Sequence, residues 1–174
     1  AASSPSSDPP PMGQFPYFRA DHFNGGGSPA EERAAALTGL RHYMTGNTNA
    51  RIVVGGKRAG FEGKMPGIVE EVLLSLERRQ PVYLAGGFGG VTLDIVRALR
   101  PEFAEWLPPQ AGAPEADARL IEGLGRINRV AVETGWDGFA NGLSDRENRL
   151  LAASYRPSEI SALVGRGLGK LVPE

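Results

Sequence analysis

The chain has 174 residues with 41% hydrophobic content, enough to bury one α/β core and too short for two substantial domains, so one domain plus a tail is expected. A net charge of −1 and a pI near 6.2 exclude a global basic footprint, and no nucleic-acid partner is expected. The absence of cysteine excludes a disulfide framework, a thiolate metal site and a cysteine nucleophile.

No apolar run approaches the roughly 18 residues needed for a membrane span, and residues 1–11 lack the apolar centre of a secretory signal. A soluble, cytoplasmic protein with no membrane partner is the expectation. The opening AASSPSSDPPP is Pro/Ser-rich with nothing to bury, Phe15 to Phe23 (FPYFRADHF) is aromatic but unperiodic, and Asn24 to Gly27 is a glycine hinge. Residues 1–28 are therefore read as a flexible linker and irregular arm of a longer protein, and residues 29–174 as the folded domain.

Ser28, Pro29 and Glu31 supply an N-cap, a first-turn proline and a capping-box glutamate, opening a helix whose apolar stripe is Leu37, Leu40, Tyr43 and Met44 and which stops near Gly46. Arg51 to Gly55 (RIVVG) has the β-branched profile of a buried parallel strand running into a ligand-facing loop. Pro66 starts a second helix with Ile68, Val69, Val72, Leu73 and Leu76 on one side and Glu77, Arg78 and Arg79 at its end. Pro81 to Ala85 (PVYLA) is the next strand, closed by Gly86 to Gly90 (GGFGG) and followed by a helix through Thr92, Ile95, Val96 and Leu99. This order defines the fold class: α/β, a Rossmann-like three-layer fold with a parallel sheet.

Pro101 to Pro114 is Pro/Ala-rich and reads as a surface loop. Glu115 to Ala131 reads as a helix weakened by Gly123 and Gly125, Asn141 and Gly142 as a turn, and Ser144 with Glu147 as a second capping box. A last helix after Pro157 carries Ile160, Leu163, Val164 and Leu168. Two convincing strands are too few for a free-standing doubly wound sheet. Either weak strands lie in Phe15 to Phe23 and Arg129 to Glu133, or the first βαβ half lies outside this sequence.

The stretch GGKRAGFEGKMPGIVEE places Gly55 and Gly56 at a strand end, Lys57, Arg58 and Lys64 in a loop, and Met65, Pro66 and Gly67 at a helix start. A phosphate is the natural guest of such a cradle, because helix N–H groups and the dipole attract an anion, glycines let the backbone approach it and cations add charge. Glu70 and Glu71 would sit in the first turn, able to accept hydrogen bonds from ribose hydroxyls or to act as a base. The competing reading is that the acids only complement the dipole and the glycines only turn the chain. No GxxxxGK[ST] occurs, and GGFGG does not match GxGxxG, so Gly87 and Phe88 either line a ligand or simply turn the strand into its helix. His22 and His42 are read as structural, and Trp106 and Trp136 as packing against loops. Asp94 and Asp137 lack convergent partners, so neither a metal nor a cofactor is expected.

The motif order LRHYM (Leu40 to Met44), RIVVGG, MPGIVEE (Met65 to Glu71) and PVYLAGGFGG resembles the SLOG superfamily, in which a helix with an MxxRK-type motif precedes a strand, a PGGxGTxxE helix start and a further strand. The pairing of MPGIVEE with GGFGG is most similar to the prokaryotic SLOG branch related to TRPM channels and to Sir2/TIR-associated sensors of antiviral defence. Two departures stand out. An insertion, KRAGFEGKM, separates Gly56 from Pro66 and would enlarge or cap the pocket, and the family's first half has no counterpart here, as if the chain were the C-terminal half of such a domain. The resemblance implies a non-catalytic sensor of an ADP-ribose-like or cyclic nucleotide signal, acting with the N-terminal remainder of the domain, an effector domain or further copies in a homo-oligomer. It implies two alternatives: a lonely-guy-type phosphoribohydrolase using Arg41 and Glu70, or an assembly module.

Overall fold

The computed structural model describes residues 27–135 and 139–172. Its first helix, α1 (Pro29–Gly46), opens on the expected capping box, in which the Ser28 side chain accepts from the Glu31 N–H and the Ser28 N–H donates to the Glu31 carboxylate at 2.7 Å. Strand β1 (Arg51–Val54) pairs in parallel with β2 (Val82–Ala85), Arg51 opposite Val82 and Val54 opposite Ala85, and α2 (Gly67–Glu77) makes the crossover between them. After β2 a 3-10 turn (Gly86–Phe88) leads into α3 (Gly90–Leu99). A second short turn (Pro101–Phe103) precedes α4 (Ala118–Glu133), α5 (Asp145–Ala153) and α6 (Pro157–Leu171).

Strand alternation sends Val53, Val82 and Leu84 to one face, where Val72 and Leu76 of α2 and Ile95 and Val96 of α3 bury against them. Tyr83 and Ala85 face the other way, onto Leu151 of α5 and Ile160, Leu163 and Val164 of α6. Helices thus cover both faces of the β2 strand, and each fully buried aliphatic side chain contributes about 1.5–3 kcal/mol. The free side of β2 is fastened by Asn141, whose Nδ2 donates to the Val82 carbonyl at 2.9 Å while its own carbonyl accepts from the Tyr83 hydroxyl at 2.8 Å. β1 has β2 as its one strand neighbour among the described residues, and its Ile52 (52% exposed) and Val54 (44%) remain open. No helix among the described residues is long and apolar enough to cross a membrane.

Three expectations change. Arg129 to Glu133 is not a strand but the last turn and a half of α4, because the buried positions Leu120, Gly123, Ile127 and Ala131 hold the helical period against the β preference of Val130 and Val132. The stripe of α1 is covered only in part: Leu37 and Tyr43 are half-buried but Leu40 and Met44 are exposed, and Ala34 and Thr45 are its buried residues, with Thr38, Arg41 and Thr45 meeting polar groups of α2 and β1. Trp106 is 63% exposed rather than packed under a loop. The expected arm at Phe15 to Phe23, together with His22, Trp136 and Asp137, lies outside the described residues. Gly123, expected only to weaken its helix, is buried where α4 crosses α2, and a Cβ there would lie 2.7 Å from Val69 Cγ1.

The second capping box reaches beyond its own helix. Glu147 accepts from the Ser144 N–H at 2.8 Å and pairs with Arg166 (3.0 Å) and Lys170 (3.3 Å) of α6. The Ser144 backbone and hydroxyl, then Arg166, hold its carboxyl down at about 2, against an ordinary 4.5. A depressed folded-state value means that this stabilisation is present above about pH 4.5 and is lost as pH falls through about 2. Acid titration followed by amide exchange is expected to loosen the α5–α6 contact across that window in the native chain, and not in Glu147→Gln.

Candidate functional site

Both parallel strands run out into glycines, and there the chain forms a cleft. Gly55 and Gly56 adopt φ of 65° and 102° and fold β1 back onto the start of α3. The Gly55 carbonyl accepts from the Thr92 N–H at 2.8 Å and the Thr92 hydroxyl at 2.9 Å, and the Gly56 carbonyl from the Val91 N–H at 3.3 Å. The Gly90 N–H donates to Gln110 Oε1 at 2.6 Å. Each of these first-turn donors of α3 therefore already has a protein oxygen.

A cavity of about 690 Å³ opens between residues 56–59 on one wall, the glycine turn with Gly87 and Phe88 on the other, and a roof of residues 107–114. That volume lies in the range of small-molecule sites. The Phe88 ring is half exposed. Lys57 is exposed and, among the described residues, forms no hydrogen bond or ion pair. Arg58 is committed: its Nε donates to Asp94 Oδ2 at 2.8 Å and its Nη1 to the Pro114 carbonyl at 2.6 Å.

The rest of the Gly55 to Glu71 stretch goes elsewhere. Its loop is drawn along the start of α4, where the Arg119 guanidinium stacks on the Phe61 ring at 4.2 Å and donates to the Gly63 carbonyl at 3.0 Å. The insertion thus gives Lys57 and Arg58 to the cleft wall, while Met65 packs against the core and Lys64 is exposed and does not line the cavity. The roof comes instead from residues 107–114.

Pro66, Gly67, Glu70 and Glu71 belong to a second polar cluster against α1. Glu70 accepts from Arg41 Nη1 and from the Thr38 hydroxyl, each at 2.6 Å. Glu71 accepts from Arg51 Nη1 at 3.0 Å and lies 3.8 Å from Arg41 Nε, and Arg51 also donates to Thr45 Oγ1 at 2.8 Å. Arg41 covers the start of α2, since a Cβ on Gly67 would lie 2.5 Å from its Nη2. The candidate residues therefore fall into two groups: Gly56, Lys57, Arg58, Gly87 and Phe88 in the cleft, and Arg41, Pro66, Gly67, Glu70 and Glu71 beside α1, with Gly55 bonded to α3 behind the cleft wall.

Two residues were not expected at the cleft: Gln110, which lines it, and Asp94, which does not line it but holds Gln110 and Arg58 from behind. A signal existed for Gln110, the one side chain with hydrogen-bonding groups in LPPQAGAP, residues 107–114.

Parallel strands with a crossover helix, glycine-rich exits and a cleft at their carboxyl ends define a Rossmann-like α/β domain. A family model described as SLOG cluster2 matches residues 18–151, and the chain belongs to that SLOG family. No curated protein and no solved structure matches it.

Proposed function

We propose that this chain is a sensor module that binds a nucleotide-derived signal, ADP-ribose-like or a cyclic nucleotide, in the cleft and passes the event to an effector in signalling or antiviral defence. The observation that carries this reading is the cavity of about 690 Å³ at the strand ends, with the unpartnered Lys57 on its wall and the half-exposed Phe88 ring opposite. Lys57 and Arg58 serve phosphate oxygens, the glycine turns let a phosphate or sugar approach the backbone, and Phe88 offers a face to a base. The open β1 strand, with Ile52 and Val54 exposed, offers a surface to the remainder of the domain, to an effector or to another copy in an oligomer.

Calorimetry of the full chain with ADP-ribose, cyclic ADP-ribose isomers and cyclic dinucleotides tests the reading. One of these is expected to bind, and Lys57→Ala to weaken that binding about tenfold by removing a charge-assisted contact. No heat with any of them sinks the sensor reading.

The hydrolase reading keeps one supporting observation, the direct contact of Arg41 with Glu70. Both Glu70 oxygens are engaged and the residue does not line the cleft, which favours sensing over hydrolysis.

A further inference from the structure

The cleft roof is held by side chains rather than by its backbone. Within residues 107–114 the backbone bonds are local: Ala111 N–H to the Pro109 carbonyl and Ala113 N–H to the Gln110 carbonyl. No backbone–backbone hydrogen bond among the described residues ties residues 108–114 to the cleft floor. Gln110 makes the link instead. Its Oε1 accepts from the Gly90 N–H at 2.6 Å, and its Nε2 donates to Asp94 Oδ1 at 2.9 Å and to the Gly90 carbonyl at 3.3 Å. Asp94 also holds Arg58, which grips the far end of the roof at the Pro114 carbonyl. At the near end Arg97, which does not line the cavity, donates to the Pro108 carbonyl at 2.8 Å. Two clamps, Gln110 and Arg58, thus converge on one carboxylate, and both face the space a ligand would fill.

From this arrangement we infer that residues 107–114 form a gate released by an anionic ligand, with Gln110 standing in for the ligand oxygen at the start of α3. The inference rests on the sensor reading of the cleft. A phosphate entering there competes for the Gly90 N–H, the preferred place for an anionic oxygen at a helix start, and for the Arg58 guanidinium. The bonds it takes from the Gly90 N–H and from Arg58 Nη1 are ones the roof loses, so the ligand favours the released roof through a difference in contacts between the two states. Arg97 keeps the near end fixed, and Gly112, at φ 74° with nothing within 4 Å of a Cβ, is not packed against the core. Release of the roof changes the surface beside the cleft without unfolding the core.

Hydrogen exchange across residues 107–114 and at Gly90, in the full chain without ligand, tests the clamp. Gln110→Ala is expected to speed exchange there about tenfold and leave α2 and α4 unchanged, and Gln110→Glu, which sets a second carboxylate against Asp94, to act in the same direction. Calorimetry of wild type and Gln110→Ala with ADP-ribose, cyclic ADP-ribose isomers and cyclic dinucleotides then tests the competition. The variant should bind about threefold to tenfold tighter, because the ligand no longer displaces the amide. Unchanged exchange in both variants overturns the clamp. Faster exchange with equal or weaker affinity overturns the gate and leaves the sensor reading standing. Faster exchange with no binding to either protein overturns both.

Discussion

Gly90→Ala is expected to destabilise the fold by about 3 kcal/mol, seen as a lower urea midpoint with an unchanged slope. Gly90 has φ 67°, a left-handed conformation that an alanine adopts only with strain. The larger effect is steric. A Cβ there would lie 2.5 Å from the Gly56 carbonyl oxygen and 2.8 Å from the Gly55 carbonyl carbon, both backbone atoms. Neither can retreat cheaply, because the Gly55 and Gly56 carbonyls accept the Thr92 and Val91 N–H groups that fix the start of α3. The change therefore moves the β1 exit, the α3 start and the cleft floor together, and any cleft ligand should be lost with it. Gly125→Ala is the control: it lies in α4 with nothing within 4 Å of a Cβ, and should stabilise by about 0.5–1 kcal/mol through helix propensity. Equal stability of Gly90→Ala and wild type would mean that the two glycine turns are not apposed in solution.

The parts of the fold legible in the sequence are those fixed within a few residues or by a clear period. Ser28 with Glu31, and Ser144 with Glu147, close their boxes across three residues and need no tertiary context. The buried side of α2 announces itself because Val69, Val72, Leu73 and Leu76 repeat at helical spacing. What the sequence hid depends on partners far along the chain. The face of α1 that packs is decided by Glu70 and Glu71, which lie at the α1–α2 contact and need donors, so Thr38 and Arg41 turn inward and Leu40 and Met44 outward. Lys57 and Lys64 look equivalent in one glycine-rich run. They part because Arg119 anchors Phe61 and Gly63 to α4, a contact across 56 residues between Gly63 and Arg119. The half of the cradle that reads as a phosphate loop is thereby split from the half that reads as an acid–base pair.

Arg41→Ala is expected to cost about 3 kcal/mol of stability, because it removes one partner of a largely buried ion pair and leaves the other. The side chains of Arg41 and Glu70 are only 13% and 11% exposed, and Thr38 alone would remain to satisfy Glu70. Glu71 loses a neighbour as well, although Arg51 still holds it. Arg41→Lys should recover part of the loss, since an ammonium restores the charge but not the guanidinium's reach to both carboxylates. Glu70→Gln should cost less, about 1–2 kcal/mol, as its one amide oxygen keeps either the bond from Thr38 or the bond from Arg41 and no buried charge is left without its partner at that position. Denaturant midpoints measure these effects, and ligand affinity separates the two meanings of the pair. A pair that serves only to join α1 to α2 leaves affinity at the cleft within about twofold in Glu70→Gln, because Glu70 does not line that cavity. A catalytic pair instead requires wild type to release free base from a nucleoside monophosphate, and Glu70→Gln to abolish that release at a temperature where it remains folded. The same carboxylate thus decides between sensor and hydrolase, and the stability measurement keeps a folding defect from being mistaken for lost chemistry.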